Sequence, residues 1–310
     1  MLPRLTTLLA LIALPATQSA AQVQPVPGLC NTTNEAVRET IKNCSTIIDT
    51  GKTDRRALAI AYNNRAWAHG QLDEYDLAFR DYDRALQIDP DLVQALLRRA
   101  ALYITVGQPT RSLPDYDRAV RVEPSNASAR IDRGTAFQIL GDYELALNDF
   151  RQAIRLDPGG WRVFYQRAIV FELRRQPEAA ARDYDEILLR RPGEDIVYDV
   201  QVRRCRARLA IGQLDGAVAD CNDSLVYKFV GWRPFVYRGV AMFRLGDLDR
   251  AIEDFQTALR RHSGGPEALF GLGVAQLRKG DTERGERNIA FARKQDPQAV
   301  QEMVELGLEP

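Results

Sequence analysis

An all-α solenoid of antiparallel helix pairs is the fold class this sequence predicts. Residue types recur every 34 positions from Ala59 to Ala299, the period of a two-helix repeat. Within each period the small and aromatic residues fall at helical spacing, as in Tyr75–Pro90 (YDLAFRDYDRALQIDP), Tyr143–Pro158 (YELALNDFRQAIRLDP) and Leu248–Leu259 (LDRAIEDFQTAL). Glycine and proline recur at two fixed places where helices stop. A two-helix unit cannot bury its apolar face alone, so stacking makes the core and leaves one long concave wall.

The N-terminus is expected to be a cleaved signal peptide over residues 1–21. Arg4 supplies the positive charge, Leu5 to Ala16 the apolar stretch, and Ser19-Ala20-Ala21 the small-residue cleavage site, leaving Gln22 first in the mature chain. No later stretch is long and apolar enough to span a bilayer, so no membrane insertion of the mature chain is expected. The expected destination is the periplasm, with secretion as the further possibility. Residues 22–58 read as an N-terminal segment and a half-repeat helix, with Thr32 and Glu35 as a capping box before an amphipathic stretch to Ile48.

Seven units follow in one register: 59–92, 93–126, 127–160, 161–194, 198–231, 232–265 and 266–299. Position 8 is small throughout (Ala66, Ala100, Gly134, Ala168, Cys205, Gly239, Gly273), and so is position 20 (Ala78, Ser112, Ala146, Ala180, Ala217, Ala251, Gly285). Position 24 is bulky in most units (Tyr82, Tyr116, Phe150, Tyr184, Phe255, Ile289) and position 27 is mostly alanine. Small residues let the helices approach, and the aromatic fills the gap between them. Glycine near position 15 (Gly107, Gly141, Gly212, Gly246, Gly280) ends the first helix, and proline at 32 (Pro90, Pro124, Pro158, Pro192, Pro297) stops the second. Asp195 to Val197 are inserted before the fifth unit, where a change of stride is expected. Residues 300–310 read as a C-terminal capping helix with Met303 and Val304 facing inward.

This pattern resembles the tetratricopeptide repeat (TPR), and the chain looks like an exported bacterial member. The resemblance implies a right-handed superhelix. It also implies that positions 8 and 24 pack face to face, which would pair Cys205 with Cys221 in the fifth unit. Cys30 and Cys44 would tie the N-terminal segment to the half-repeat helix. Four cysteines allow three connectivities, and an exported chain favours their oxidation.

Position 7 is Arg and position 23 Asp in the first six units, while the seventh has Leu272 and Asn288 instead. The joint loss predicts Arg–Asp pairing along the helix seam rather than catalysis. In proteins of this family the first helices line the concave face. Carried over, that assigns a groove to Arg162, Tyr165, Ile169, Val202, Arg206, Arg233, Val236, Val240, Phe243, Arg244, Phe270 and Arg278, an apolar wall edged with arginine in the C-terminal half. Such a wall suits an extended or helical protein segment bearing aliphatic anchors and acidic groups. The lysine and asparagine clamp that some TPR proteins use for acidic C-termini is absent.

With 42 basic and 42 acidic residues, the charge balance argues for neither nucleic acid nor anionic membrane as partner. No phosphate loop, nucleophile elbow or zinc-protease motif is present, and His69 and His262 are far apart in register, so each reads as a packing or surface residue rather than a ligand. The expected function is a non-catalytic interaction scaffold without cofactor or metal. The alternative is an envelope-assembly component that self-associates.

Overall fold

The computed structural model describes residues 37–227 and 231–310. The predicted signal peptide, the Thr32–Glu35 capping box and Cys30 lie outside the described residues. Among those described, every regular element is a helix. The chain divides into two compact units, residues 1–156 and 157–310.

The first unit opens with α1 (Val37–Thr50), followed by three pairs: α2 (Arg55–Gln71) with α3 (Tyr75–Ile88), α4 (Val93–Thr105) with α5 (Pro109–Val122), and α6 (Ala127–Leu140) with α7 (Tyr143–Leu156). α1 packs on α2 and buries Cys44, whose expected partner Cys30 is among the residues not described. The second unit has four pairs and a terminal helix. These are α8 (Trp161–Leu173) with α9 (Pro177–Leu189), α10 (Glu194–Ala210) with α11 (Leu214–Ser224), α12 (Arg233–Arg244) with α13 (Leu248–Arg261), α14 (Pro266–Arg278) with α15 (Thr282–Gln295), and α16 (Pro297–Glu305).

The repeat positions explain the pairing. Gly107, Gly141, Gly212, Gly246 and Gly280 all have φ between 73° and 89°, the left-handed turn that ends a first helix. At the same position Asp73 and Arg175 adopt φ of 59° and 55° without glycine's freedom. Where position 24 is aromatic, its core contact with position 8 comes in two sizes; in the seventh unit Gly273 faces Ile289 instead. Alanine faces tyrosine in Ala66/Tyr82, Ala100/Tyr116 and Ala168/Tyr184, all buried. Glycine faces phenylalanine in Gly134/Phe150 and Gly239/Phe255, because a Cβ at either glycine would stand 2.7 or 2.9 Å from the ring. In the fifth unit the same two positions are Cys205 and Cys221, joined by a disulfide with Cα atoms 5.6 Å apart.

The Arg–Asp pairs form in all six units. Each arginine donates through Nε and Nη2 to both oxygens of its aspartate: Arg65–Asp81, Arg99–Asp115, Arg133–Asp149, Arg167–Asp183, Arg204–Asp220 and Arg238–Asp254. Four of these arginines also use Nη1 to reach the preceding helix pair, at Asp83, Asp117, Asp185 and Asn222. The ladder therefore joins neighbouring pairs as well as the two helices of one pair. In the seventh unit Asn288 donates to Gln276 instead. Burial raises the pKa of Asp183, Asp220 and Asp254 despite the guanidinium opposite. In these three rungs desolvation thus opposes the Coulombic gain.

The insertion at 195–197 goes into α10 and lengthens it to 17 residues. Glu194 and Asp195 suit the positive end of that helix, while Ile196 and Val200 bury on one side of it. The terminal helix begins at Pro297 rather than residue 300. Asp296 accepts from the amides of Gln298 and Ala299, so the proline expected only to stop α15 also starts α16 at its first position.

Candidate segment-binding face

In the second unit α10 packs on α12 and α12 on α14, so these first helices form a continuous surface. α16 packs on α14 and α15, and Val300, Met303, Leu306 and Leu308 join the core cluster that contains Val202, Val236, Val240 and Phe270. The predicted groove residues therefore divide. Tyr165, Val202, Val236, Val240 and Phe270 are buried; Ile169, Arg162, Phe243, Arg206 and Arg244 are half-buried; Arg233 and Arg278 are exposed. The apolar wall is not bare: residues of the same chain complete it.

The arginines show what holds the covering segment. Arg206 donates through Nε to Glu302 Oε1 at 2.6 Å. Arg244 donates through Nη1 to the Leu306 carbonyl at 3.0 Å. Arg175, in the turn after α8, pairs with Glu305 at 2.9 Å. Gly307, with φ of 95°, lets the backbone lie against Arg244, since a Cβ there would meet the Arg244 side chain at 3.1 Å. Arg233 and Arg278 stack instead on aromatic rings, Trp232 at 4.9 Å and Phe243 at 5.5 Å.

Behind these contacts lies a charged network that the repeat register did not single out. Arg203 donates through Nη1 to Glu172 Oε2 at 2.9 Å and through Nε to Asp199 Oδ2 at 2.8 Å. The Tyr165 hydroxyl donates to the same Asp199 oxygen at 2.7 Å, and Glu172 Oε1 lies 3.8 Å from Arg206 Nη1. Burial by itself would lower the pKa of Arg203, but Glu172 and Asp199 outweigh it and hold the guanidinium charged. The same balance holds Arg206 charged, with Tyr237, Glu302 and Glu172 opposing the burial. Burial raises the Tyr237 phenol to about 12 and raises the Glu267 carboxyl. One signal for this network was present: Glu172 puts a carboxylate at position 12, where Ile104, Leu209, Phe243 and Leu277 are apolar.

Among the described residues no group of acidic, histidine or cysteine side chains is arranged to hold a metal. No helix there is long and apolar enough to cross a membrane.

Models of the tetratricopeptide repeat match residues 59–92, 97–147, 131–196 and 238–303. The chain belongs to the tetratricopeptide repeat family. TPR proteins are in general non-catalytic scaffolds that mediate protein or peptide binding. Sperm-associated antigen 1 of Mus musculus is 53% identical over 45 residues, 14% of this chain and 5% of that protein. The TPR chain therefore spans one-twentieth of that relative's length. Among solved structures, PilF of Pseudomonas aeruginosa aligns with a TM-score of 0.59 at 18% identity, over 74% of this chain and 99% of PilF. YrrB, described as a TPR protein with an unusual peptide-binding site, aligns with a TM-score of 0.50 at 16% identity, over 61% of this chain and 95% of YrrB. At these identities the two structures speak for the fold alone.

Proposed function

We propose that this TPR protein is an exported, non-catalytic adaptor that holds a segment of another protein along the first helices of its second unit. The observation that carries the reading is the chain's own segment 297–308 on that surface, with Val300, Met303, Leu306 and Leu308 buried and Glu302 and Glu305 met by arginines. A surface that accepts such a segment in cis is chemically suited to one in trans. Export is supported by the N-terminal pattern ending at Ala21 and by the Cys205–Cys221 disulfide, which suits an oxidising compartment. No cofactor or metal enters the proposal, and the partner is a protein.

Capture from native envelope with the oxidised chain tests it, comparing wild type with Arg206→Glu plus Arg244→Glu. Both side chains are half-buried at the edge of the surface, so reversing them spares the core; Val236, fully buried, is unsuitable. The variant should lose the partner. Retrieval of the same proteins by both would sink the reading, and an N-terminus other than Gln22 on the envelope form would sink its export part. Concentration-dependent growth in light scattering without any partner would favour self-association instead.

A further inference from the structure

α16 does more than close the last helix pair. A helix that only shielded the end of the stack would need α14 and α15 alone. The segment from Glu302 to Gly307 also engages the three preceding pairs, through Arg244 of α12, Arg206 of α10 and Arg175 after α8. These contacts join residues 62, 96 and 130 positions apart. The buried aliphatics Val300, Met303, Leu306 and Leu308 recur at spacings of three, three and two, and Glu302 and Glu305 alternate with them.

We infer that residues 297–308 are an intramolecular ligand that occupies the adaptor surface, and that the partner is a helical segment of the same pattern, aliphatic anchors with two interleaved carboxylates, which must displace them. This rests on the adaptor reading given above. The apolar side chains supply the attraction and the arginines set direction and register. The division is legible in exposure: Arg175 and Glu305 are 80% and 44% exposed, so that pair is screened and adds little by itself. The contacts need not be strong, because attachment to the same chain presents the segment at an effective concentration of order millimolar. A free partner of equal intrinsic affinity therefore binds only the fraction of molecules whose tail has left. The two carboxylates are the handle: they lie at the edge of the buried strip, where charge reversal weakens the tail without opening the core.

The test uses the full mature, oxidised chain and a fluorescent peptide of residues 297–310 as the probe, read by anisotropy. Glu302→Arg plus Glu305→Arg should bind the probe roughly ten-fold tighter than wild type, because its own tail competes less. Adding Arg206→Glu should remove that gain, because it gives the reversed tail an opposite charge again and repels the acidic probe. If the double variant keeps wild-type helicity and binds the probe no better than wild type, α16 is a fixed part of the fold and the inference is wrong. Hydrogen exchange on wild type decides the matter even if the variant unfolds. Amides of residues 301–306 should exchange at least about ten-fold faster than those of α14, and exchange of both only together overturns the idea. If the loosened variant dimerises by exchanging tails, the occupant is a second copy and the partner assignment fails. Envelope capture that depends on Arg206 while the probe fails to bind would leave the adaptor reading standing and remove only this inference.

Discussion

Repeat position 6 carries a half-buried arginine in each compact unit, and the two are treated in opposite ways. In the second unit Arg203 faces Glu172 and Asp199 at 2.9 and 2.8 Å. In the first, Arg98 donates to the Asn64 side chain at 3.4 Å and lies over the Trp67 ring at 5.9 Å. Burial lowers the Arg98 pKa, and the influence opposing it is the Tyr82 phenol rather than a carboxylate. Both units share the ladder, the turns and the small-to-aromatic contact. What differs is the first-helix face: amides and a weakly compensated cation in one, and a closed ion network beneath a covering helix in the other. A repeat scaffold thus leaves its first-helix face free to diverge while its seam stays constant.

The largest effect should come from separating paired charges. Arg203→Met leaves Glu172 and Asp199 facing each other without their shared cation, and should cost the second unit about 3–5 kcal/mol in denaturant unfolding. Asp149→Ala should cost less, ~1–3 kcal/mol in the first unit, because Arg133 loses its bidentate partner but keeps Asp117. Unchanged unfolding of either variant would refute the corresponding pairing. Next is the staple. Reducing Cys205–Cys221, or replacing both with serine, should cost roughly 3 kcal/mol for a loop of this size. The loss should appear in the second unit's hydrogen exchange and leave α4–α7 unaffected; a uniform loss would mean the units do not respond separately.

Gly239→Ala should cost about 1–3 kcal/mol by overpacking against Phe255. Ala168→Gly opposite Tyr184 probes the other pairing, and should be destabilising through backbone freedom by only about 1 kcal/mol. Equal melting shifts for the two would erase the size rule read from the core. Smaller still is Arg98→Met, expected within about 1 kcal/mol of wild type because a half-buried cation without a carboxylate gives up little when replaced by an apolar chain. A loss as large as that of Arg203→Met would break the comparison between the two arginines.

The smallest effect is with pH. Asp183, Asp220 and Asp254 titrate above the usual value in the folded chain, so they bind protons there before the unfolded chain does. Their contribution is present in full below the unfolded value of about 3.9 and is lost as the pH rises through the raised values. Asp254→Asn should accordingly flatten part of the pH slope of the second unit's unfolding midpoint, and an unaltered slope would rule out that linkage.

Some of this was legible from residue types alone. The period, the turn glycines and the paired loss at Leu272 and Asn288 were sufficient for the helix pairs and the Arg–Asp seam, because both are local: each joins residues 16 apart at fixed register. Cys205 and Cys221 share that spacing, so their bond followed from the same register. The first-helix face was harder. Register names which residues point toward it, but says nothing of what covers it. Val236 and Phe270 read as an open wall in sequence and are fully buried in the structure.

By itself, the sequence determined the repeat, its seam and its staple, since those depend on neighbours within one or two helix pairs. Only the tertiary structure decided that residues 297–308 return to arginines as far back as Arg175. A contact across 130 residues leaves no periodic trace, and the apolar and acidic types that make it would serve equally well in a simple end cap. It also took the tertiary structure to bring Glu172 of α8 to Arg203, because only Asp199 lies on the arginine's own helix, four residues before it.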